Sequence, residues 1–234
     1  MSVLASYSDI IFSILLLFGL MQLAWFSVML HRRGLSGSVI QHTLPPMLAI
    51  WVLMWPVYVD SRWLWLGVGL FILLTLLARF LPQPFWKRLR LAWTPVTDDP
   101  TFENTSNLSP MFHFSLALLI AGVWFQSIPE FGFGLALSLC LAMPLAHWLD
   151  RMGHLILGFP AHPEQTLAGH VAFIITAALL LCWALHTYHG TPWQPLLIAT
   201  LIAAMVGSAS RAIIPGEWYR PFAMLSMGLT MWLL

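Results

Sequence analysis

The sequence predicts an all-α protein, a polytopic integral membrane bundle of about eight transmembrane helices. Three observations predict it. Hydrophobic residues make up 59% of the 234-residue chain and charged residues only 8%, against roughly 25% charged in ordinary soluble domains. The mean hydropathy is +0.82, too apolar for one small water-facing core. The apolar residues also fall into runs long enough to cross a bilayer, where backbone polar groups must be satisfied within the segment.

Taken in order, the runs lie near 8–30, 43–59, 63–80, 110–126, 131–149, 166–186, 194–210 and 219–234. The first follows "MSVLASYSDIIF", which lacks the basic start of a cleaved signal, so the run from Ile10 reads as a span. The second carries "LPPM", where paired prolines end or kink a helix. The eighth is short and closes the chain. No repeat interrupts the series, so residues 1–234 read as a single membrane domain.

One sizeable polar segment stands apart, at about 82–110. Its first half sets Phe85, Trp86, Leu89, Leu91 and Trp93 among Lys87, Arg88 and Arg90. That pattern suits an amphipathic helix in the membrane interface, and equally a solvated basic loop.

Charge tests the arrangement. With the N-terminus outside, Arg32, Arg33, Arg79, Lys87, Arg88, Arg90, Arg151, Arg211 and Arg220 lie in or beside cytoplasmic segments, and only Arg62 lies outside. This bias predicts an inner (plasma) membrane protein in that orientation. A formal net charge of +1 argues against a nucleic-acid partner. Cys140 and Cys182 both fall in apolar runs and suggest no disulfide. Trp63, Trp65, Trp193 and Trp218 sit near span ends, as interfacial anchors do.

The stretch "HWLDRMGHLILGFPAHPEQTLAGHVAF", residues 147–173, concentrates an Asp, an Arg, a Glu and four His between two apolar runs. If the helix through Asp150 continues, His147, Asp150, Arg151 and His154 share one face. A carboxylate with imidazoles suits a divalent metal, and a carboxylate beside an arginine suits a metal-bound phosphate. The spacing is met as well by a surface charge pair with solvated histidines. Thr166 precedes an apolar run as an N-cap does, and a helix start of this kind offers N–H groups to a phosphate. Gly169 permits a close approach by a ligand or by a neighbouring helix.

These residues resemble those of the phytol kinase and dolichol kinase group, related to phosphatidate cytidylyltransferases. "LDRMGHLILG" is similar to that group's Gly-Asp helix end and Gly-rich turn, with Asp150 on the aspartate and Gly153 on a small residue. "PEQTLAGHVAF" resembles its Lys-Lys-Thr-x-Glu-Gly-Ser helix opening, with Thr166 and Gly169 in register. "SVIQHTLPPMLAIWVLMW" places His42 on an early histidine, and "NLSPMFHFSLALLIAGVWF" resembles the helix before the catalytic half. "IPGEWYRPFAML" sets Glu217 near an Asp and Pro221 on a proline.

The resemblance implies nucleotide-dependent phosphoryl transfer to a lipid alcohol of isoprenoid type at the cytoplasmic face. Asp150 and Arg151 would be catalytic. Asp150, with His154 or Glu217, would hold Mg²⁺, while His42, Thr166, Gly169, Arg211 and Arg220 would meet the nucleotide or substrate phosphates. The chain also departs from the pattern. Glu164 and Gln165 replace the basic pair, Ala168 the Glu, His170 the Ser, and Ser38 with Val39 an Arg-Lys pair; Gly207 and Ser208 stand near an acidic position. Those departures motivate an alternative, a non-catalytic relative that binds a lipid or serves as a subunit of a membrane complex. Under either reading, a polar cluster above long spans implies a lipid cavity lined by residues 131–149 and 166–186. A His-rich bundle carrying haem or a metal is a third reading.

Overall fold

The structure, a computed structural model, describes residues 2–58, 61–93, 110–153, 155–159, 162–190 and 192–234. All of its regular elements are helical. They are α1 (Ser2–Arg32), α2 (Gly37–Thr43), α3 (Pro45–Leu53), α4 (Ser61–Phe80), α5 (Pro84–Trp93), α6 (Pro110–Ser127), α7 (Pro129–Leu137), α8 (Met143–Met152), α9 (Leu167–His189), α10 (Trp193–Ile213) and α11 (Tyr219–Leu233).

Among the described residues, seven segments are long and apolar enough to cross a membrane: Asp9–Arg32, Gly37–Val57, Trp63–Phe80, Pro110–Ser127, Pro129–Met152, Leu167–His189 and Trp193–Ile213. The eighth, α11, has 15 residues, fewer than the ~20 a perpendicular span needs, and packs along α10 and α6. Large apolar side chains cover the outside, among them Phe18, Ile50, Ile198 and Ile213. In water such a surface would be a liability; against acyl chains it is the ordinary exterior of an integral membrane protein.

The breaks have local causes. In "LPPM", Pro45 and Pro46 take the first turn of α3, where a missing N–H costs nothing, so α2 and α3 follow one another with only a short discontinuity. A π turn, Ser138–Ala142, joins α7 to α8 within one span. Pro144 follows it and has no N–H for the Cys140 carbonyl, the usual reason a helix ladder slips by a residue. Thr166 caps α9 with its side chain, and Gly190 ends it at φ 63°.

The polar segment resolves in favour of a helix. In α5, Leu89, Ala92 and Trp93 are buried while Lys87, Arg88 and Leu91 stay exposed, and the buried face rests on α1, α2 and α4. Trp93 Nε1 donates to Ser27 Oγ in α1 at 3.1 Å. Residues 94–109 of the expected 82–110 segment lie outside the described residues. Both cysteines are free and buried.

Where a cavity was expected, between 131–149 and 166–186, α7 and α9 pack against each other. A Cβ added to Gly134 in α7 would meet the Leu181 backbone at 3.1 Å and Ala184 Cβ at 3.2 Å in α9. Small residues bring these two helices into direct contact, as they do between membrane helices generally. An open cleft of about 550 Å³ lies between α1 and α3.

Candidate functional site

The polar residues gather at one end of the bundle, where α8, α10 and the α2 and α9 starts converge. Asp150 stands in the last turn of α8 and is 8% exposed. Gly153 then leaves the helix, and the chain doubles back through a small hairpin in which Ile156 pairs with Thr166 and Phe159 with His162. Gly158 turns it at φ 64°. That return delivers the α9 N-terminus to Asp150. Thr166 donates to Asp150 Oδ1 from its backbone N–H at 2.8 Å and from its hydroxyl at 3.1 Å. The same hydroxyl accepts from the Gly169 N–H at 3.2 Å.

The start of α9 thus meets an anion, as its dipole and free N–H groups favour, and the anion is a carboxylate of the chain itself. Gly169 makes room for it. A Cβ there would collide with the Asp150 carboxylate and stand 2.8 Å from the Ala146 carbonyl oxygen. Of the two approaches open to Gly169, the structure has the neighbouring helix.

Asp150 Oδ2 accepts from Arg211 Nη2 in a buried ion pair. Arg211 is 3% exposed, and its Nη1 is buried with no hydrogen-bond partner. Around this pair runs a second network. The Gln165 amide donates to the Arg211 carbonyl at 3.0 Å, which turns its oxygen toward His170 Nε2 at 2.8 Å. That oxygen can only accept, so Nε2 carries the proton, and Nδ1 accepts from the Ser208 hydroxyl at 2.7 Å. Gln165, His170 and Ser208 had been read only as departures from the kinase-like pattern. They are bonded to one another.

Adjoining this, His42 in α2 stacks on His147 in α8 with ring centroids 3.4 Å apart. The His147 Nε2 is buried without a partner. Arg151 reaches across from α8 to α2, donating to Ser38 Oγ at 2.6 Å. Arg220, 2% exposed, pairs with Glu217 at 2.9 Å. It also donates to the Pro110 carbonyl at 3.4 Å and to the Tyr219 hydroxyl at 3.3 Å. Arg151, Arg211 and Arg220 are all near enough to act electrostatically on the His42 ring. His42 and Arg220 also line a cavity of about 10 Å³ with Tyr219 and Pro144, room for roughly one water.

The sequence-predicted residues therefore fall into two adjacent groups. Asp150, Arg211, Thr166 and Gly169 form one; His42, Arg220 and Glu217 form the other, with Arg151 at the rim. His154 lies outside the described residues. The donor set does not fit Mg²⁺. Asp150 and Glu217 are already matched to Arg211 and Arg220, and no group of three or more His, Cys, Asp or Glu among the described residues could hold a metal ion. Hard cations take oxygen ligands from several carboxylates or carbonyls, and a guanidinium on Asp150 places positive charge where the ion would sit.

Sequence reasoning missed the bonds of Gln165, His170 and Ser208. Gln165 and His170 flank the first turn of α9, a signal for local pairing; Ser208 is 38 residues from its histidine and nothing local announces it. No protein-family model, curated protein or solved structure matches the chain.

Proposed function

We propose that this chain is a non-catalytic, lipid-binding membrane protein built on the layout of a lipid-alcohol kinase. The observation that carries the reading is the state of Asp150. Both of its oxygens are engaged within the fold, by Thr166 and by Arg211. Three of the residues that depart from the kinase-like pattern, Gln165, His170 and Ser208, also complete a hydrogen-bonded network, where that pattern has a basic residue, a serine and an acidic position. A cavity the size of one water has no room for a nucleoside triphosphate. The basic end faces the cytoplasm on this reading, with the membrane a cell inner membrane.

One observation favours the kinase reading: Asp150, Thr166 and Gly169, which the resemblance aligns with the family's signature, do meet in space. A single preparation separates the two. Purified protein is titrated with CTP or ATP and Mg²⁺, alongside Asp150→Asn. The proposal expects no nucleotide binding by the wild type. It expects the variant to lose about 3–5 kcal/mol of stability, because Arg211 is left buried and uncompensated. Metal-dependent nucleotide binding that disappears in a stably folded Asp150→Asn variant would establish the kinase reading instead.

A further inference from the structure

The hairpin between α8 and α9 exposes large apolar side chains at the end of the bundle where the polar residues gather. Leu155 and Ile156 are each 60% exposed, and Leu157 is exposed beside them. They lie past the end of one span, Met152, and before the start of the next, Leu167. In water such a patch marks an interaction site. The arm that carries it is well tied. The Leu157 N–H donates to the Gln165 carbonyl at 3.0 Å, and the Leu167 N–H to the Leu155 carbonyl at 3.1 Å. Residues 155–157 therefore run beside Thr166, which holds Asp150.

Two exposed stripes on the spans lead into this arm. On α8, Trp148 and Met152 are exposed one turn apart, and Leu155 follows three residues on. On α9, Leu167, Val171 and Ile175 are exposed at intervals of four, so they share one face. In a membrane protein that face meets acyl chains. Leu155 is bonded to Leu167, the head of the stripe, so the arm extends the lipid-facing surface. That continuity favours lipid as its cover over a second protein.

Depth follows from length. With 23 residues, α9 is about 34 Å long, against a hydrocarbon core of ~30 Å. Centred and upright, it sets Leu167 roughly 2 Å outside the core, at the level of the headgroups. Ile156 pairs with Thr166 and shares that level. It lies between two ladder bonds, so its own N–H and carbonyl turn away from the partner strand. Hydrocarbon cannot satisfy such groups; water and headgroups at the boundary can. The side chains reach inward and the backbone stays at the surface.

We propose that the α8–α9 hairpin is a membrane anchor. Leu155, Ile156 and Leu157 insert at the headgroup–acyl boundary of the bilayer and hold the start of α9, with the Asp150 cluster, at the membrane surface. The proposal needs the membrane location alone and is independent of the choice between a kinase and a non-catalytic relative.

The test uses the full chain in nanodiscs of phosphatidylcholine and phosphatidylglycerol, part of the lipid bearing a nitroxide near the headgroup or at the acyl chain end. Ile156→Cys carries a bimane fluorophore; Cys140 and Cys182 are buried and label little. Val171→Cys, on the α9 stripe, is the reference for acyl contact. The probe at 156 is expected to lose roughly half or more of its emission to the shallow nitroxide and little to the deep one, about 15 Å further in. Aqueous iodide should quench it weakly. Strong quenching by iodide, with none from either nitroxide, puts the arm in water and overturns the anchor. So does a disulfide formed between two copies of Ile156→Cys in intact membranes, because a second chain would then cover the arm. Leu155→Cys gives the same reading should Ile156→Cys fail to fold.

Discussion

The carboxylate of Asp150 rests against the bare Cα of Gly169, in the space a side chain at that position would take. Two helices are joined there by a charge seated on a glycine, and the glycine is required by the charge. Gly169→Ala ordinarily favours a helix by up to about 1 kcal/mol. Here the new methyl must displace Asp150 from Thr166 and Arg211, so the substitution is expected to destabilise by about 3 kcal/mol or more. Thermal unfolding in detergent reads the sign, and a stabilised Gly169→Ala protein would refute the close approach.

Gln165 and His170 should behave as one unit. Gln165→Met retains bulk but leaves the Arg211 carbonyl and His170 Nε2 unpaired, an expected loss of about 1–3 kcal/mol. His170→Leu strands the Gln165 oxygen and the Ser208 hydroxyl and should lose a similar amount. The double variant is expected to lose less than the sum by about 0.5–3 kcal/mol. Strict additivity in a double-mutant cycle would mean the network does not act as a whole.

Orientation is a separate prediction, because it rests on charge. Nine of the ten Lys and Arg residues fall in or beside segments that lie on one side when the spans alternate, the pattern that the positive-inside bias gives a cytoplasmic face. A cysteine at Gly190 should label with an impermeant reagent from outside intact cells, and a cysteine at Gln83 only after permeabilisation. Cys140 and Cys182 are buried and give little background. Gln83 labelling from outside, with Gly190 protected, would invert the topology.

How much of this was legible in the residues differs by element. The spans were, because their signal is length and apolarity, and so was the start of α9, where Thr166 carries capping chemistry. The π turn at Ser138–Ala142 was not: an apolar run reads the same whether its ladder closes at four residues or five, and Pro144 is the one local hint. Asp150 and Thr166 were singled out from sequence, and Thr166 read as an N-cap, but the resemblance assigned both to a ligand. The deciding fact is Arg211, which arrives from another helix. Contacts between helices leave no mark in a local pattern, so neither the ion pair nor the bond from His170 to Ser208 could be read in advance. The cavity was misplaced for the same reason, since Gly134 looks alike whether it faces a ligand or Leu181.

The distance along the chain between Asp150 and Arg211, 61 residues, has a consequence for biogenesis. At about 5–20 residues per second the ribosome supplies the arginine roughly 3–12 s after the aspartate. During that interval the Asp150 carboxylate is held by Thr166 alone, on the hairpin that joins α8 to α9. The ion pair is a late contact of synthesis: α8 and α9 meet first, and α10 adds the neutralising charge.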